Sequence, residues 1–421
     1  MRKIKRTIPS IYRNNTLFLQ YENRKMRRYL SLFLALTCSF SMDAFAQAID
    51  SWTGTWAAAA EYTSQNDMPQ TTSLSNTSLR QVVRVSIGGK SLSLQLSNEN
   101  SAEPVEIKAA YIADARDSCD IDRKTVAYLK FSGKRNVTIE PGKTAWSDAL
   151  RYNLQPLQRL SVTICYGEQV PTNATSHRGS RTTSYISQGE ANPKKAFLSI
   201  ERLDHWYNIS KIEVPAEGRK AIAVLGNSIT DGRGSTTNLQ NRWTDIMAEA
   251  LSQREYGVLN LGIGGNCVIN GGLSQPALQR FDRDILGQSG VETLIIFQGT
   301  NDIGTSSHAE KTAQQLVEAY KTMADKARKA GIRQVVGATI TPFKGSGWYS
   351  PFHEAARQVV NEWIRKTKVF DAVIDFDQLV RNHDDHERLQ EELSDDWLHL
   401  NPQGYQAMGQ YAAKIISNIN K

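Results

Sequence analysis

The feature that most constrains this chain is a change of rhythm at about residue 215. Before it, short apolar runs are broken by turn residues, with almost no helical period. The run 82–87 leads into Gly88-Gly89, and 91–96 then alternates polar and apolar residues. The runs 105–112, 126–131, 137–139, 160–166 and 209–214 continue the pattern. Alternation places every second side chain on one face of a sheet, so 47–215 is expected to form an all-β, sandwich-like domain. From Lys220 onward, Val- and Ile-rich runs at 221–225, 258–261, 293–297, 334–338 and 372–376 alternate with helical stretches at 310–329, 351–366 and 402–419. Asn401 and Pro402 suit the cap and first position of the last helix. Apolar strands separated by helices predict a three-layer α/β/α domain with a parallel sheet over 220–421. In such sheets the site lies beyond the carboxyl ends of the strands. A short linker, about 215–219, joins the two halves.

Charge narrows the partners. The chain has 50 Lys and Arg against 43 Asp and Glu, a formal net charge of +7. Nine of the cations and two of the acids fall in residues 1–46, which leaves 41 of each sign in 47–421. A neutral body removes the electrostatic case for a nucleic-acid partner. The leader itself reads as an export signal, with Met26 as the expected start. Arg27-Arg28 precede an apolar run at 29–36, and Ala44-Phe45-Ala46 is a small-x-small cleavage pattern. That run is shorter than the ~20 residues of a membrane span, and nothing later is apolar for long enough. The expectation is an exported protein with no membrane span and no evident protein partner. After cleavage Cys119, Cys165 and Cys267 remain. Cys119 and Cys165 could pair in an oxidising compartment or stay as thiols. No Cys or His cluster has zinc spacing, so no metal and no cofactor is expected.

The chemistry lies in loops that follow the strands. The stretch 224–236, VLGNSITDGRGST, offers Ser228 between Gly226 and Gly232. It lacks the Gly-x4-Gly-Lys of a phosphate loop and the spacing of a dinucleotide loop. Thr230 also breaks the GxSxG elbow. A serine there becomes a nucleophile only if a base, a carboxylate and oxyanion donors reach it. Asp396-Trp397-Leu398-His399 can fold so that the carboxylate meets the imidazole. Asn260 to Asn266 carries glycines whose N–H groups are exposed, and Gly299-Thr300-Asn301-Asp302 offers an amide. Each fragment alone is weak; four in order on strand ends carry weight.

Those four blocks resemble the SGNH (GDSL-type) hydrolase family. The resemblance implies Ser228 as nucleophile, His399 as base and Asp396 as its partner. It implies an oxyanion hole made of the Ser228 and Gly265 N–H groups and the Asn301 amide. Trp52-Thr53-Gly54-Thr55-Trp56, followed by a β-rich region, is similar to a two-domain secreted branch of these esterases. Asn227 departs from the family's usual Asp. Trp397 and Asp302 are candidate substrate contacts, and Trp348, Tyr349 and Phe352 either stack on a sugar or pack. The run 382–387 has metal-capable residues but reads as a solvated loop. The implied function is a metal-independent serine esterase acting on O-acyl groups, above all O-acetyl groups, of a glycan. A short-chain lipid or aryl esterase, an acyltransferase between glycans and an inactive glycan-binding protein remain alternatives.

Overall fold

The structure, a computed structural model, describes residues 51–419. The export signal expected within 1–46 lies outside the described residues. The β-rich half is antiparallel throughout. A seven-stranded sheet runs through Thr77–Arg84, Arg159–Tyr166 and Val105–Asp114, and a five-stranded sheet contains Trp52–Ala57, Ile209–Pro215 and Gly89–Ser97. Their inner faces share one core that includes Leu79, Leu94, Ile107, Ile164 and Ile212. That sharing is what the period-two alternation requires.

In this half two runs depart from expectation. The strand expected at 82–87 ends at Arg84 and starts earlier, at Thr77. Ser86 and Ile87 leave it to donate their N–H groups to the Thr55 carbonyl and Thr55 Oγ1, both at 2.9 Å. Of 126–131, only Ala127–Tyr128 is strand. Asp122 caps a short 3-10 turn just before it, and Phe131 closes a tight bridge with Lys134. The three cysteines of the described residues are free thiols. Cys119 Sγ lies 3.6 Å from the Phe197 carbonyl, and Cys165 is buried among Ala109, Tyr111 and Ala113.

The second half contains a five-stranded parallel sheet, in the order Tyr256–Gly262, Lys220–Gly226, Val291–Phe297, Gln334–Ala338, Ala372–Ile374. By chain order this is 2-1-3-4-5, so the winding reverses between the strands ending at Gly226 and Phe297. That reversal opens a crevice at their carboxyl ends. Both faces of the sheet are covered, which explains the unbroken apolar strands. Ala223 and Leu225 pack towards Leu316 and Tyr320 of the helix Ala309–Lys329. Ile222 and Val224 face Trp243 and Met247, and Met408 and Ile416 of the helix Pro402–Ile419. Asn401 caps that helix, its Oδ1 accepting from the Gln403 and Gly404 N–H groups at 3.0 and 3.1 Å.

From Ser51 onward the two halves form a single unit. Ala57 and Ala59 belong to the same buried cluster as Leu259 and Leu261 of the edge strand. Contact there is backbone to backbone: a Cβ on Gly257 would lie 2.1 Å from the Gly54 carbonyl oxygen. Ser86 Oγ, from the β-rich half, accepts from the Val258 N–H at 2.9 Å. Among the described residues no helix is long and apolar enough to cross a membrane.

Candidate active site

Ser228 follows the first strand of the parallel sheet and begins a one-turn helix, Ser228–Asp231. Asn227 caps it: its Oδ1 accepts from the Ile229 N–H at 3.0 Å, and its carbonyl accepts from the Asp231 N–H at 2.8 Å. A cap needs an acceptor oxygen, and Asn supplies one as well as Asp does. The turn closes on Gly232 at φ 99°, a left-handed conformation that favours glycine. Beneath it, the fully buried Arg280 donates to the Gly226 carbonyl at 3.1 Å and the Leu261 carbonyl at 2.9 Å. The same guanidinium reaches Asn266 Oδ1 at 3.1 Å, so one side chain ties three elements of the site together.

The structure brings Ser228, His399 and Asp396 into one hydrogen-bonded line. Ser228 Oγ lies 2.9 Å from His399 Nε2, and His399 Nδ1 lies 2.7 Å from Asp396 Oδ2. The other Asp396 oxygen accepts from the Leu398 and His399 N–H groups at 3.0 and 2.8 Å. Trp397 makes that reversal with φ 61°, and the Arg388 guanidinium stacks 4.7 Å above its ring. Burial holds the His399 pKa below its ordinary value, against the pull of Asp396, and the Arg233 and Arg181 charges lower it further. For Asp396, burial pushes the carboxyl upward, but the His399 N–H and imidazole outweigh it and hold the pKa low. The line therefore stands as carboxylate, neutral imidazole and hydroxyl near neutral pH. That is the charge state in which an imidazole can accept a hydroxyl proton.

Gly265 and Asn301 stand on the loops that follow the two strands flanking the one that ends at Gly226. Gly265 has φ 66°, and neither its N–H nor that of Ser228 donates to another group among the described residues. Asn301 sits where the third strand turns into a short helix, across the crevice from Ser228 in the chain order. Its orientation is determined by its partners. Trp348 Nε1–H donates to Asn301 Oδ1 at 3.1 Å, and Asn301 Nδ2 donates to the Asn266 carbonyl at 2.9 Å. An indole is only a donor and a carbonyl only an acceptor, so the amide cannot be flipped. One N–H of Asn301 is left to serve a third partner.

Asp302 directs its carboxylate to the backbone. Its carboxylate accepts from the Val268 and Ile269 N–H groups, with distances of 2.9 to 3.0 Å. Burial pushes its pKa up to about 6, against the opposing effect of those N–H groups. It holds the loop after the second strand to the loop after the third. Tyr349 donates to Glu387 at 2.7 Å, and Lys344 pairs with Asp385 at 2.9 Å and Glu387 at 3.1 Å. These contacts occupy two of the three acidic members of the 382–387 run, Asp385 and Glu387; among the described residues no group of three or more His, Cys, Asp or Glu is placed to hold a metal. Sequence reasoning missed Arg280, Asp231, His177 and Arg181. The contacts that tie them into the site, Arg280 to Asn266 and Gly226 and Asp231 to His177 and Arg181, span 14 to 54 residues, and no local pattern marks such pairs.

Residues 224–407 match the family described as GDSL-like Lipase/Acylhydrolase. Among solved structures, the chain is similar to a lipolytic protein of the G-D-S-L family from Desulfitobacterium hafniense DCB-2, at 24% identity and a TM-score of 0.37. That match covers 47% of this chain and 99% of the other. An acylhydrolase from Bacteroides fragilis NCTC 9343 matches at 22% identity and a TM-score of 0.35, over 48% of this chain and 86% of the other. A GDSL-like lipase from Bacteroides thetaiotaomicron VPI-5482 matches at 20% identity and 0.35, over 48% and 88%. No curated protein matches the chain.

Proposed function

We propose that the chain is a carboxylic ester hydrolase, on the match of residues 224–407 to the GDSL-like lipase/acylhydrolase family, and that Ser228, His399 and Asp396 are its catalytic triad. The observation that carries this reading is the unbroken line from Ser228 Oγ to Asp396, with links of 2.9 and 2.7 Å. Ser228 Oγ attacks the ester carbonyl while His399 Nε2 takes its proton. The carbonyl oxygen becomes an oxyanion held by the Ser228 and Gly265 N–H groups and the free N–H of Asn301. His399 returns the proton to the leaving alcohol, and the acyl group stays on Ser228. Water then attacks the acyl-enzyme with His399 as base, releasing the acid and restoring the serine.

The substrate we propose is an O-acyl ester, above all an O-acetyl ester, on a glycan, cleaved by an exported enzyme. Export rests on the Arg27-Arg28 leader pattern. A polar alcohol side is supported by Trp397 with its stacked Arg388 beside the triad. The test is release of acid from acetylated polysaccharides, alongside p-nitrophenyl acetate and longer-chain esters. Acetyl esters of polysaccharides should be preferred; efficiency that climbs with acyl length would point to a lipid or aryl esterase instead.

Asn301→Ala should lower kcat by roughly 100- to 1,000-fold with little change in KM, because its N–H is used only once charge develops on oxygen. Steady-state kinetics on p-nitrophenyl acetate read this directly. An unchanged kcat would remove Asn301 from the oxyanion hole.

A further inference from the structure

Asp231, three residues after the nucleophile and on the same helical turn, has a side chain only 1% exposed. Both of its carboxylate oxygens are taken by the β-rich half. Oδ1 accepts from His177 Nε2 at 2.9 Å and Oδ2 from the Arg181 guanidinium at 2.8 Å. Between those two residues, a Cβ on Gly179 would fall 2.0 Å from either oxygen. The segment 177–181 therefore wraps the carboxylate, and glycine is what lets its backbone come so close. From the other side, Arg242 Nε donates to the Asp231 carbonyl at 3.1 Å, with its guanidinium 5.6 Å above the Trp206 ring.

The charge state of His177 follows from its partners. Nδ1 faces the Ala59 carbonyl at 3.0 Å and Nε2 faces the Asp231 carboxylate. Both are acceptors, so both ring nitrogens must carry protons. His177 is an imidazolium, stacked on Trp206 at 5.7 Å and with Glu61 Oε1 at 3.6 Å. A buried ion pair is weak evidence for stability, since a well-packed apolar pair often does better. What this one supplies is direction: it holds the far end of a helix that is only four residues long and starts with Ser228.

We propose that His177 and Arg181 are positioning residues for the ester-cleaving serine, so that the β-rich half forms part of the catalytic apparatus. This rests on Ser228 being the nucleophile. By fixing Asp231, the two cations fix the turn on which Ser228 Oγ meets His399 Nε2. A displacement of about 1 Å there can cost on the order of 100-fold in rate.

The latch also predicts a pH dependence. The charged and titratable groups around His177 are Asp231, Glu61 with its partner Arg178, Arg181, Arg242 and His205. Burial lowers the His177 pKa, but the Asp231 hydrogen bond and charge outweigh it and the net shift is upward. The sign follows: the imidazolium form holds the latch, which is intact at low pH and lost as pH rises through that raised pKa. His399 works in the opposite sense, because it must be neutral and its pKa is lowered. Activity on p-nitrophenyl acetate should therefore rise as His399 loses its proton and fall again as His177 does.

The experiment compares Arg181→Ala, Arg181→Lys and His177→Gln with the unaltered protein, with Ser228→Ala as reference. Arg181→Ala and His177→Gln should each lower kcat roughly 10- to 100-fold with KM little changed. Arg181→Lys should recover most of the loss, and His177→Gln should lose the alkaline limb while keeping the acid limb. If His177→Gln does not fold, the Arg181 pair decides, because that side chain is 27% exposed and its removal leaves the core filled. Folded variants with unaltered kcat and an unmoved pH profile overturn the proposal. If they do so while Ser228→Ala is inactive, the latch alone falls; if Ser228→Ala remains active, the nucleophile reading falls first.

Discussion

Ser228→Ala will remove ester turnover, lowering kcat by at least about 10⁴-fold, while the protein keeps its fold. The change deletes one oxygen. Its hydrogen bond goes to His399, which keeps a second anchor in Asp396. Loss of one such bond costs about 1 kcal/mol in stability, so thermal melting and circular dichroism should barely move. The residual rate would come from the oxyanion donors acting on a water. The check is p-nitrophenyl acetate turnover by the purified variant, together with the absence of an acyl-enzyme adduct in intact mass spectra. Turnover at the unaltered rate would remove Ser228 from the mechanism and return the role to another group.

Asp396→Asn should be nearly as severe, and for a reason particular to this turn. Asp396 Oδ1 accepts from two backbone N–H groups, so an amide there must keep its oxygen in that place. Its NH2 then faces His399 Nδ1, where the present carboxylate oxygen lies at 2.7 Å. An NH2 donates, so Nδ1 must accept, and the ring proton moves to Nε2. The imidazole then points a proton at Ser228 instead of a lone pair. A loss of about 10³- to 10⁴-fold in kcat follows, with KM and melting temperature close to those of the unaltered protein. Asp396→Glu, which keeps a carboxylate, should retain more activity; equal rates in the Asn variant and the unaltered protein would end the triad reading.

Much of this fold was legible in local pattern. Helices at Pro351–Lys366 and Pro402–Ile419 have the expected bounds. Ser350 and Asn401, immediately before a proline, are caps whose mechanism is entirely local. The parallel strands were legible because burial on both faces leaves few polar positions in their middles. Strand ends in the β-rich half were not, since Ser86 and Ile87 keep strand-like chemistry while their N–H groups go to Thr55, about 30 residues away. In the site, Ser228 and Asp396 to His399 could be picked out because loop, strand end and cap coincide there. His177 could not be. It sits in a short polar run with no period, and its role comes from a carboxylate 54 residues further on. Asp231 carries no local mark for the same reason.

The crossing of Gly54 over Gly257 bears on how this enzyme can be divided. Tyr256–Gly262 is the edge strand of the parallel sheet, and Trp52–Ala57 lies against it, with Gly257 against the Gly54 carbonyl and the Leu259 side chain against Gly54. A hydrolase half cut away at the linker would bare that strand, with Leu259 and the Val258 N–H now open to solvent. Unpaired edges are templates for strand addition. The β-rich half thus acts as a permanent shield against self-association, and a chimera with a foreign partner domain must bring its own glycine to the same spot or cover the edge in some other way.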